Sequence, residues 1–173
     1  GRLVRLFRIC QIHEARPDRA LSLLVRERAH LLTPEVALSE ESCSALRAML
    51  TEGGRVYPAL NALREHGLLY RLVPEFAGLH CLVQFEFYHR WTADVHTLRC
   101  LRELDRIYAG ESLVEQKYRE VVLGSEAPSL LYAILFLHDI AKSGGIEGHA
   151  ERGVPIADRI LVRLGFDARE REI

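Results

Sequence analysis

His138 and Asp139 stand side by side at the end of the most hydrophobic stretch of the chain, LLYAILFLHDIAKSGGIEGHAERG, residues 130–153. A carboxylate at the negative end of a helix dipole costs about 0.3–1 kcal/mol near the surface, and several kcal/mol more if buried without a partner. A cation close by would relieve both costs. Two further histidines fall at expected helix ends: His96, one turn into a segment opened by Thr92, and His149, after the glycine-rich bend SGGIEG. Three imidazoles and one carboxylate form a nitrogen and oxygen donor set suited to Mn²⁺, Mg²⁺, Fe²⁺ or Zn²⁺. The competing reading is a group of unrelated structural histidines, each favoured by the dipole at a helix C-terminus.

Lys142 adds to the first reading. Only Lys117 and Lys142 are lysine among 23 basic residues. A compact ammonium in a chain that otherwise uses arginine fits a phosphate or carboxylate contact, and fits equally a helix-terminal cation answering the dipole. His89 could face the same way as His96, as a supporting or phosphate contact, or pack in an aromatic cluster. His13, His30, His66 and His80 read as exposed or structural. No P-loop, GxSxG elbow or HExxH pair occurs, so serine and cysteine nucleophile chemistry has no support.

The elements that must hold these groups are helices. Leu3, Leu6, Phe7 and Cys10, then Leu21, Leu24 and Val25, recur at three- and four-residue steps with Pro17 at a natural helix start. Ser39 is a candidate N-cap for a helix carrying Cys43, Leu46, Met49 and Leu50. Pro58 lies in the first turn of the next, which Gly67 stops before a short LLYRLV segment closed by Pro74. Residues 75–91 are aromatic-rich and read as irregular with some helix. Thr92 caps a helix with Val95, Leu98, Leu101 and Leu104 on one face, ended by Gly110. Further helices run over 112–122, after Pro128, and through Ile156, Ile160 and Leu164 to Gly165. Leu130 to Ile140 is apolar on every side, which predicts a central, fully buried helix.

The whole reads as one all-α unit. A net charge of -1 with both signs interspersed excludes an electrostatic footprint for nucleic acid or anionic lipid. Cys10, Cys43, Cys81 and Cys100 form no CxxC pair and read as reduced core thiols of a cytosolic protein, with zinc or disulfide use as the alternative. No apolar run approaches the ~20 residues that span a bilayer.

FLHDIAK, with a histidine upstream and a GH pair downstream, resembles the HD superfamily of metal-dependent phosphohydrolases. More narrowly, VYPALNALREHGLLYRLVPEF, CLVQFEFYHRWTADVHTL and HDIAKSGGIEGHAERG resemble the central region of bacterial bifunctional uridylyltransferase/uridylyl-removing enzymes. The resemblance implies an HD-type helical bundle over about 76–173, with about 1–75 as a helical extension packed on it. It implies that His96, His138 and Asp139 are metal ligands, with Mn²⁺ or Mg²⁺ foremost, that His149 is a further ligand or phosphate contact, and that Lys142 orients the phosphate. The implied reaction is hydrolysis of the phosphodiester joining UMP to a tyrosine of the PII signalling protein. The alternatives are an HD phosphohydrolase acting on nucleotides or cyclic dinucleotides, and a non-catalytic helical scaffold. The HD pattern also expects a later aspartate, beyond Ile173, so the metal site is expected to be incomplete in this chain. With no nucleotidyltransferase motif present, the chain is not expected to transfer uridylyl groups alone. Val95 stands where such enzymes have an acidic residue. Pro155 would remove a backbone donor if the last helix began at His149.

Overall fold

The computed structural model describes residues 1–83, 91–145 and 147–172. Every regular element among them is helical, compatible with an HD-type bundle: α1 (Arg2–Ile12), α2 (Arg19–Arg28), α3 (Pro34–Ala37), α4 (Glu40–Leu50), α5 (Val56–Glu65), α6 (Leu69–Leu72), α7 (Ala93–Ala109), α8 (Leu113–Leu123), α9 (Leu131–Leu137), α10 (His149–Leu164) and α11 (Ala168–Glu172). Short 3₁₀ turns at Pro74–Leu79 and Lys142–Gly144 complete the part that matters for the site.

Local chemistry sets most helix ends. Ser39 accepts a hydrogen bond from Ser42 N–H at the start of α4, and Asp18 accepts one from Leu21 N–H at the start of α2. Ser112 and Glu115 form a reciprocal capping box on α8. Gly110 takes the left-handed conformation, φ 64°, that closes α7. Other starts have no side-chain cap of their own, and at α5 the cap comes from elsewhere. Its first amides, Val56 N–H and Tyr57 N–H, donate instead to the two carboxylate oxygens of Asp105 on α7, at 3.1 and 2.8 Å. Tyr132 on α9 donates to the same carboxylate at 2.7 Å and accepts from Gly54 N–H at 2.8 Å.

The Asp105 network lies where three helices meet. α7 packs against α5 on one side and α9 on another, while α1 closes over α4 and α5. Phe7, Met49, Leu60, Leu63, Leu101, Phe136 and Ile160 belong to one continuous apolar core. Phe76 stacks on Phe136 with centroids 4.7 Å apart, fixing the 3₁₀ turn at Pro74–Leu79 against α9.

Three expectations change. The apolar run after Pro128 is not buried all round: α helix ends at Leu137, and Ile134 is 48% exposed at the margin of a groove shared with α10. The reason is that α9 has a neighbour on its α7 side, while α10 covers only part of the opposite face. Next, α10 does begin at His149 and carries Pro155 inside it, so Glu151 C=O lacks its usual i+4 amide donor. Last, the cysteines are all free, but only Cys43 is a buried core thiol; Cys10 and Cys100 are half-buried and Cys81 is exposed.

Candidate metal centre

Three helix ends converge. The first turns of α7 place His96, and Cys100 four residues on stacks on the same face, its Sγ 3.7 Å from His96 Nε2. The end of α9 places His138, whose Nδ1 is 2.7 Å from Leu135 C=O; a carbonyl only accepts, so Nδ1 carries the proton and Nε2 is the nitrogen turned into the site. Asp139 follows in a tight turn held by Ile140 N–H to Leu137 C=O and Lys142 N–H to Asp139 C=O. The chain then reverses. Gly148 at φ 65° swings it into α10, and Arg152 reaches back to donate to Glu147 and Gly145 carbonyls at 2.6 Å each. Gly78 lets the Pro74–Leu79 turn approach this loop closely: a Cβ there would meet Ser143 Oγ at 2.7 Å.

Donor atoms of His96, His138 and Asp139 all lie within 4.8 Å of one another, the one such group of histidine, cysteine and acidic side chains among the described residues. Asp139 is 2% exposed. Its Oδ2 is 2.7 Å from Lys142 Nζ and 3.1 Å from His138 Nε2, and its Oδ1 is 3.7 Å from His149 Nε2. Burial alone would raise the Asp139 pKa, but contacts from His138 and Lys142 outweigh it and hold the carboxyl at about 2. The Asp139 contact pushes His138 up from its ordinary value, against the effect of burial. Burial, then the Asp139 charge, raises the Cys100 thiol.

The contacts to Asp139 Oδ2 lack hydrogen-bond geometry, and this buried atom has no hydrogen-bond partner among the described residues. With Nδ1 protonated, neutral His138 presents a lone pair on Nε2 to a carboxylate oxygen. Two acceptors facing each other across 3.1 Å require positive charge on or beside them: a proton on Nε2, the Lys142 ammonium, or a divalent ion. Two imidazoles and an ionised carboxylate suit the borderline divalent ions. The residues fit.

Of the residues singled out by sequence, the structure thus brings His96, His138 and Asp139 into one group and sets Lys142 and His149 against opposite oxygens of Asp139. His149 lies outside the three-residue group. His89 lies outside the described residues. Sequence reasoning missed two neighbours. Asp94 is buried and accepts from Tyr70 O–H at 2.7 Å, and Tyr70 O–H is in turn 2.8 Å from His80 Nδ1. Burial and then the Asp94 contact raise the Tyr70 phenol. Cys100 was read as ordinary core; the signal that could have found it is its i+4 spacing from His96.

No family model matches the chain. Curated bifunctional uridylyltransferase/uridylyl-removing enzymes do. That of Rhodopseudomonas palustris is 31% identical over 175 residues, covering 99% of this chain and 18% of the relative. That of Novosphingobium aromaticivorans is 31% identical over 173 residues, again 99% of this chain and 19% of the relative. The chain therefore spans about a fifth of the length of these relatives. Nearly its whole sequence aligns with one segment of them, and on that ground it belongs to the family of bifunctional uridylyltransferase/uridylyl-removing enzymes.

Proposed function

We propose that this chain supplies the uridylyl-removing half of its family's chemistry: an HD-type unit over about 76–173, with about 1–75 packed on it, that hydrolyses the phosphodiester between UMP and a tyrosine of PII. The observation that carries the reading is the convergence of His96, His138 and Asp139 from two helices, with His138 Nε2 3.1 Å from a buried carboxylate oxygen. The word "uridylyl-removing" in the relatives' names supports a hydrolytic role for some part of such proteins.

In this reading His96, His138 and Asp139 hold a divalent ion, Mn²⁺ or Mg²⁺ in first place, with His149 as a further ligand or a phosphate contact. Such an ion supplies Lewis acidity toward a phosphoryl oxygen and lowers the pKa of water. The protein's own groups do the rest. The Leu135 carbonyl fixes the His138 tautomer and ring angle, as a supporting acceptor does for a ligating histidine. Lys142, on a flexible stem beside Asp139, can exchange that carboxylate for a phosphate oxygen and offset its charge as ester cleavage proceeds. His149, at the mouth of the glycine bend, is placed to donate to a phosphate oxygen. The Arg152 clasp holds that bend in shape.

The test is release of UMP from uridylylated PII by the intact parent protein with Mn²⁺, comparing the native sequence with His138→Ala. A fall of about 100-fold or more is expected for loss of a group that holds the reacting centre. An unchanged rate would overturn the assignment.

A further inference from the structure

Trp91 is the one tryptophan of the chain, and it stands immediately before Thr92, the residue that opens α7. Tryptophan side chains are highly buried on average, yet Trp91 is 45% exposed. Arg99 lies against it, with its guanidinium carbon 3.6 Å from the ring centroid. Helical side chains lean toward the N-terminus of their helix, so Arg99 runs back over the turn that carries His96 before it meets Trp91. Three-residue spacing also sets the Cβ atoms of His96 and Arg99 about 5–6 Å apart on one face. The other arginines of α7 are engaged by acids: Arg102 by Glu103, and Arg106 by Glu103 and Glu115. Arg99 has no carboxylate partner among the described residues, and its planar guanidinium rests on the indole. A cation–π pair can be purely structural, as where Arg47 covers Phe166: that ring is 4% exposed, and the guanidinium is taken up by Glu170. The Trp91 pair differs in keeping aromatic surface open.

We propose that Trp91 and Arg99 form the shelf on which the substrate's nucleobase stacks, setting the attached phosphate beside His96. The inference rests on reading the His96, His138 and Asp139 group as the uridylyl-removing centre, and it assigns the part of the substrate that this group cannot recognise. A phosphodiester there is held by charge, which says nothing of the base at its far end. Every base has a flat π-face, which aromatic rings bind by stacking and arginine by cation–π contact. The indole and the guanidinium already order each other, so little side-chain freedom is lost when a base arrives. One helical turn separates Arg99 from His96, a gap of the size that the ribose bridges between base and phosphate in a nucleoside 5′-monophosphate.

With a single tryptophan, the indole fluorescence of the 173-residue chain reports on Trp91 alone. UMP is expected to quench it saturably, ribose 5-phosphate, which lacks the base, to leave it unchanged, and Arg99→Ala to weaken UMP binding by about 10-fold. No quenching by UMP, or equal quenching by ribose 5-phosphate, overturns the shelf. Release of UMP from uridylylated PII by the intact parent protein separates this inference from the reading beneath it. Trp91→Ala is expected to raise KM about 10-fold with kcat little changed and helical circular dichroism intact, whereas His138→Ala lowers kcat. Activity lost in His138→Ala with KM unchanged in Trp91→Ala overturns the shelf and leaves the hydrolytic centre standing. Saturable quenching by UMP together with an unchanged rate in His138→Ala keeps the shelf as a nucleotide site and overturns the hydrolytic reading.

Discussion

At the scale of the residue, the dominant feature is a carboxylate that stays ionised where burial disfavours it. Asp139 does so because His138 and Lys142 contact it, and His149 lies 3.7 Å from its other oxygen, which gives a buried anion several claimants. Asp139→Asn removes the charge and keeps the shape. Metal retention, measured by dialysis against Mn²⁺ and Zn²⁺, is expected to fall by at least ~10-fold, with the helical circular dichroism unchanged. A second ionic pair is structural. Glu75 meets Arg163 through two hydrogen bonds of 2.8 and 2.9 Å, which pull the Glu75 pKa below its ordinary 4.5. As acid is added, the unfolded chain binds this proton before the folded one does. The pair's contribution, about 1 kcal/mol, is therefore complete above the unfolded value and disappears as pH falls through the folded one. Denaturant titration of Glu75→Gln against the native sequence checks this: a deficit near neutrality that closes as the pH falls below the ordinary carboxylate range. The histidine, aspartate and lysine of the site were legible as residue types at helix ends. Cys100 was not, because a half-buried cysteine on an apolar helix face gives no signal until the histidine one turn away is considered with it.

Among elements, helix boundaries were the readable part wherever the cap is local. Ser39, Thr92, Gly110 and Gly165 stand where the sequence placed them. The start of α5 was legible from Pro58 in its first turn, but its cap was not, since the residue that supplies it is on another helix. Asp105→Ala would leave Val56 N–H, Tyr57 N–H and Tyr132 O–H without their shared acceptor, at an expected cost of about 3 kcal/mol by urea unfolding. Tyr132→Phe should couple to it in a double-mutant cycle, because both changes disrupt one network. The exposure of Ile134 was equally beyond the reach of periodicity. A uniformly apolar run gives the helix no preferred face, and only the arrangement of its neighbours determines which side is covered.

For the molecule as a whole, all-helical architecture followed from periodicity, whereas the meeting of α7, α9 and α10 at one point depends on packing. Phe136 is fully buried and stacked on Phe76, joining α9 to the turn that touches the Lys142–Gly144 loop. Phe136→Ala is expected to cost about 3–5 kcal/mol, read as a lower urea midpoint with an unchanged slope. The Asp105 carboxylate has a further consequence, for the order of assembly. Its two bonds to α5 join residues 49 and 48 positions apart, so α5 can wind locally with its first amides hydrated but gains its cap only when α7 docks. That ties the last increment of stability in this helix to a long-range contact whose loop must close first.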